Sequence, residues 1–195
     1  MRLFIAVLVL IFVLQNLTKA DDISDFQIEG IVIGESLLNH FSKTELDNQE
    51  RYLYPSKKYY LLQLPMYLIT TKSKYDFVQV SLKTKDKLYK PYAISGVINF
   101  KNNINECYPL KDKIVYELDE LFQNAKKDDI GSFSMNSDLS GESKANTVNF
   151  LFDNKDLISV QCIDWSNKKP DWWDQLKVTI VTNEYNEFTL SEVYE

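Results

Sequence analysis

NECYPLKDKIVYELDELFQN, residues 105–124, is the stretch on which the fold turns. Cys107, Leu110, Ile114, Leu118 and Leu121 recur at the 3-4 spacing of one helical face, and Val115 and Phe122 widen the stripe. Lys111, Asp112, Glu117, Asp119 and Glu120 are assigned to the opposite, polar side. Asn105 can cap such a helix, Glu106 suits its positive end, and Pro109 is tolerated in a first turn. The spacing therefore predicts one long helix from about Asn105 to Asn124, with Cys107 on its buried side. A helix with a single apolar stripe needs a sheet or another helix to lie on.

Strand patterns flank it on both sides. Tyr59–Leu64, Phe77–Leu82 and Ala93–Phe100 carry β-branched, aromatic and aliphatic residues between turn signals. Gly96 within the last of these suggests a bulge. Downstream, Val148, Phe150 and Phe152 alternate, as do Ile158, Val160 and Cys162, then Val178 and Ile180, then Phe188 and Leu190 across a turn near Asn183–Glu187. Residues 126–146 turn to Lys, Asp, Ser, Gly and Asn and read as a surface loop. Its acids lack the spacing of a calcium loop. Near the start, Leu37, Leu38 and Phe41 suit a short amphipathic helix, and Ser42 to Glu45 form a capping-box sequence. The expected fold is α+β, an antiparallel β-sheet meander packed against one long helix, with a short N-terminal helix. No internal repeat is legible.

The chain opens MRLFIAVLVLIFVLQNLTKA. Arg2 precedes an unbroken apolar run from Leu3 to Leu14, and Asn16, Thr18 and Ala20 lead to Asp21. A spanning helix needs about 20 apolar residues, and a run of twelve at about 1.5 Å per residue reaches only roughly 18 Å. Residues 1–20 are expected to be a cleaved signal peptide, and residues 21–195 one globular domain. No transmembrane segment is expected in the mature chain, which would be exported, periplasmic or secreted.

Residues 1–20 contain two basic and no acidic residues, leaving 20 basic against 28 acidic side chains in the remainder. That acidic balance disfavours phosphate backbones, so no nucleic-acid partner is expected. Cys107 and Cys162 are the chain's two cysteines; an even count in an exported chain predicts a disulfide, with two separate buried thiols as the alternative. Closing that loop would constrain the unfolded chain by roughly 4 kcal/mol. His40 is the only histidine, which argues against zinc and against histidine-dependent triads. No phosphate loop, dinucleotide fingerprint or metalloprotease motif is present, so no metal and no cofactor is expected.

The richest chemistry lies in CIDWSNKKPDWWD, residues 162–174, which holds all three tryptophans. Trp165, Trp172 and Trp173 could stack on sugars or bases, while Asp164, Asp171 and Asp174 could orient hydroxyls or exchange protons. The structural alternative has the indoles sealing a sheet edge beside solvated aspartates. A tyrosine-rich stretch from Tyr52 to Tyr67 is a weaker candidate surface, explained equally well by strand packing.

Ile28-Glu29-Gly30-Ile31-Val32-Ile33-Gly34-Glu35-Ser36-Leu37-Leu38 resembles a segment of small, exported, uncharacterised bacterial proteins, Ile-Glu-Gly-x-x-Ile-Gly-(Asp/Glu)-Ser-Leu-Leu, found soon after the signal peptide. The likeness extends to the helix with Cys107 and the strand with Cys162. It implies a bacterial envelope or periplasmic setting and no mechanism. Two functional expectations follow. One is a non-enzymatic binding or accessory protein, partnered by a small ligand or an envelope protein. The other is a hydrolase of a carbohydrate or envelope polymer, acting through Asp164, Asp171 or Asp174.

Overall fold

A computed structural model describes residues 22–69, 73–101, 103–169 and 171–192; the expected signal peptide lies outside them. The first described elements are a 3-10 turn (Ile23–Asp25) and a small hairpin, β1 (Gln27–Ile28) and β2 (Ile31–Val32). Glu29 and Gly30 turn it with φ of 52° and 80°, the left-handed pair that a tight two-residue hairpin needs. A 3-10 turn over Leu37–Asn39 replaces the expected amphipathic helix. The Ser42–Glu45 capping box then starts α1 (Lys43–Asp47), both reciprocal bonds being made.

Eight antiparallel strands form the main sheet: β3 (Arg51–Leu53), β4 (Tyr59–Pro65), β5 (Phe77–Lys83), β6 (Pro91–Asn99), β7 (Lys126–Ser134), β8 (Lys144–Leu151), β9 (Leu157–Asp164) and β10 (Gln175–Val181). Their spatial order is β3-β4-β5-β6-β10-β9-β8-β7, two four-stranded meanders joined where β6 pairs β10. A short helix, α2 (Met66–Ile69), follows β4. The long helix α3 (Ile104–Leu121) links the two meanders and lies on β9 and β10. The α+β class and the antiparallel sheet are as expected; the two-meander sheet is more elaborate than one meander on one helix.

The core sits between α3, the N-terminal hairpin and one face of the sheet. Cys107, Ile114, Leu118 and Phe122 meet Phe150, Ile158, Val160, Leu176 and Val178, with Phe26, Ile28 and Leu37 closing the end. Cys107 and Cys162 are bonded, their Cα atoms 5.9 Å apart, so the first turns of α3 are stapled to β9.

Several local expectations are corrected. Residues 126–146 are not a loop: β7 and the start of β8 occupy most of them. As the exposed edge strand, β7 has no face to bury, so it lacks the alternation by which strands are recognised. Phe188 and Leu190 belong to a helix, α4 (Asn183–Ser191), capped by Thr182, whose side chain accepts from the Tyr185 N–H. Tyr185 and Phe188, three apart, bury against Tyr59, Ala93, Leu157 and Val181 on the sheet face opposite α3. Gly96 marks no bulge. It leaves room for a ring: a Cβ there would lie 2.4 Å from Tyr75 Cε1.

The long helix is also shifted. It starts at Ile104, which puts Pro109 in the second turn, where its missing N–H leaves the Asn105 carbonyl without a helical donor. Lys111 is buried rather than solvated, its ammonium bonded to Asn146 Oδ1.

Candidate functional site

The site is built where β9 ends and the segment 165–174 returns to β10. Trp165 is only 8% exposed. Its backbone N–H donates to Asp174 Oδ1 at 3.0 Å, closing the segment on itself. Asp174 is 3% exposed and also accepts the N–H of Ile104, the first residue of α3. Asn103, in the capping position, makes no side-chain cap bond. The helix start is therefore satisfied by an aspartate 70 residues away in sequence, a distant substitute for a local cap.

A second hairpin completes the site. At the β7–β8 tip, Asp138 accepts from the N–H and hydroxyl groups of both Ser140 and Ser143. Those bonds, Ser143 first, hold its carboxyl far below the usual carboxylate range. Ser143 Oγ in turn accepts the Ser166 N–H at 3.0 Å. Next to it Glu142 bonds Lys168 Nζ at 2.5 Å and the Ser166 hydroxyl at 2.9 Å, which together lower its carboxyl.

Between these parts opens a cleft of about 300 Å³, lined by Ile104, Glu142, Asp164, Trp165, Ser166, Asn167 and Asp174. Burial raises the Asp174 carboxyl, and the charge of Asp164 adds to the shift. Burial also raises the Tyr108 phenol on α3, with Asp164 and Asp174 contributing. The Trp165 indole N–H is buried with no acceptor. An orphaned buried donor costs roughly 1–3 kcal/mol, and Trp165 is the residue of the cleft lining that carries one.

The sequence candidates therefore divide. Asp164, Asp174 and Trp165 share the cleft; Asp171, Trp172 and Trp173 are exposed and do not line it. Trp172 packs edge-on against Trp165 with ring centroids 4.3 Å apart, and the Lys169 ammonium lies 4.8 Å from its ring centre. Trp173 carries Lys101 at 5.5 Å. At 48% and 42% exposed, these two indoles lie against the protein's own cations, Trp172 sharing Lys169 with Trp165 and Trp173 meeting Lys101. Sequence reasoning does not reach Glu142, because residues 126–146 read as a surface loop. Its signal was an acid inside a Ser-rich turn, too common to single out.

Among the described residues no set of three His, Cys, Asp or Glu side chains could hold a metal ion. No described helix is long and apolar enough to cross a membrane. Comparison with protein families, curated proteins and solved structures gave no match to the chain.

Proposed function

We propose that this is an exported binding or accessory protein whose cleft beside Trp165 takes a small hydroxylated ligand such as a sugar. The supporting observation is the mismatch of hydrogen-bonding types. The cleft carboxylates, when ionised, only accept, and the Trp165 indole only donates. A hydroxyl does both, so a polyol can satisfy the orphaned N–H and an aspartate at once. The signal-like first twenty residues support a setting outside the cytoplasm, and the Cys107–Cys162 bond is compatible with it.

Calorimetric titration with methyl glycosides of glucose and of N-acetylglucosamine tests the ligand. Saturable binding that weakens at least tenfold in Asp164→Asn supports it; no binding by either glycoside contradicts it. Export is tested by the N-terminus of the protein recovered from its native cells. A start near Asp21 supports it, and a soluble cytosolic chain retaining Met1 contradicts it.

The hydrolytic alternative draws on one observation, the convergence of Asp164 with an Asp174 whose carboxyl is raised by burial. Against it, Asp174 already accepts two backbone N–H groups, an anchoring duty. Release of reducing ends from an envelope polysaccharide, lost in both Asp164→Asn and Asp174→Asn, would favour it.

A further inference from the structure

On the sheet face away from α3, α4 covers one end and leaves a polar field across the middle strands. Lys177 stands at its centre on β10, directly opposite Val97 of β6 and Gln161 of β9. Its ammonium reaches across β6 to donate to Gln79 Oε1 at 3.0 Å. Around it, Ser95 and Thr179 share a hydrogen bond at 2.9 Å, and Gln161 donates to Thr147 at 2.7 Å.

What sets this field apart is its charge. Across β5, β6, β10, β9 and β8, register places no Asp or Glu on the Lys177 face; the first acid there is Asp128, on the edge strand β7 opposite Asn149, three strands from β10. The charges there are Lys83 and Lys177. Lys83 is compensated by Glu184 of α4 at 2.8 Å. Among the described residues, Lys177 has no carboxylate within 4.0 Å.

An ammonium has three donors, and a neutral amide oxygen occupies one of them. A half-buried cation without an anion is only partly hydrated, and a bound counter-charge relieves what is left. Burial pushes the Lys177 ammonium down to about 8, in keeping with a charge the fold does not neutralise. The same face also holds Asn149 Oδ1, buried with no donor, so its polar network is incomplete at a second point.

We propose that the sheet face centred on Lys177 binds a small organic carboxylate, held by the Lys177 ammonium and flanked by the hydroxyls and amides of Thr179, Gln79 and Gln161. A monocarboxylate matches the single uncompensated charge. A phosphate would bring a second negative charge with no cation to meet it, in a chain already at net −6. Lys177 remains partly exposed, so a small ion can reach it. The site is separate from the cleft and does not depend on what binds there.

The test follows the Lys177 Nζ resonance of the full chain, labelled with 15N-lysine, during titration with acetate, chloride or inorganic phosphate at matched ionic strength. Lys177→Arg identifies the resonance. The expected result is a shift that saturates with acetate at millimolar concentration and stays within a tenth of that amplitude with chloride. No saturation with acetate would overturn the proposal. Equal saturation with all three anions would overturn the carboxylate assignment and leave a non-selective anion site. The readout comes from the native side chain, so it does not depend on a variant that fails to fold. As an independent check, acetate should raise the melting temperature of the native protein and leave that of Lys177→Met unchanged; stabilisation of both alike would count against the site.

Discussion

Asp174 and Trp165 fix each other: Asp174 Oδ1 accepts the Trp165 backbone N–H at 3.0 Å, and the same carboxylate takes the free N–H at the start of α3. One buried side chain thus joins the return from β9, the entry to β10 and the long helix. Asp174→Ala would orphan two buried donors, at about 1–3 kcal/mol each. Urea unfolding is expected to show a loss of that order, smaller in Asp174→Asn, which keeps one acceptor oxygen.

The same residue gives a signed pH dependence. Burial first, then the charge of Asp164, raises the Asp174 carboxyl in the folded state. A raised value means stabilisation that is present below the unfolded value, near 3.8, and lost as pH rises through the folded one. Wild type should therefore gain on Asp174→Asn as pH is lowered from neutrality towards 3.8, read from urea midpoints. A gain in the opposite direction would remove burial as the dominant influence.

The Cys107–Cys162 bond spans 55 residues of sequence, for which chain entropy gives a stabilisation of roughly 4 kcal/mol. Denaturant unfolding with and without reductant should differ by about that amount, and Cys107→Ala/Cys162→Ala should match the reduced protein.

At Gly96 the constraint is space. A Cβ placed 2.4 Å from the Tyr75 ring forces that ring to move, and overpacking of this kind costs about 1–3 kcal/mol. A double-mutant cycle with Tyr75→Ala should show coupling, the Gly96→Ala penalty shrinking once the ring is gone.

Phe188 tests how α4 is held. Its ring packs 4.7 Å from that of Tyr59, within the aromatic cluster on the face opposite α3. Phe188→Ala should cost about 3–5 kcal/mol and speed amide exchange in α4 before the sheet core, read by hydrogen-exchange mass spectrometry.

What could be read from the sequence followed burial. Strands with one buried face, such as Phe77–Lys83 and Leu157–Asp164, announced themselves by alternation, and α3 by its stripe. β7 carries no such signal because nothing covers it, and the charge of Lys111 points to the polar side although it lies one turn beyond the buried Cys107. Phe188 and Leu190, two apart, imitated a strand; the pair that decides the matter is Tyr185 with Phe188. In the site, proximity along the chain puts Asp164, Trp165 and Asp174 in one cleft and leaves Asp171, Trp172 and Trp173 on the exposed surface beside it. Glu142 arrives from another hairpin, and only the pairing of β8 with β9 brings it there. The left-handed turn at Glu29–Gly30 shows that the Ile28–Leu38 segment does structural work, since Ile28, Ile31 and Leu37 all enter the core.

The most direct measurement is the indole Nε1–H resonance of Trp165, followed by NMR while a methyl glycoside is added. A ligand hydroxyl that accepts this orphaned donor should shift the resonance downfield to saturation and slow its exchange with water, with both effects lost in Asp164→Asn. A glycoside that binds by calorimetry yet leaves the Trp165 resonance unmoved would contradict the account.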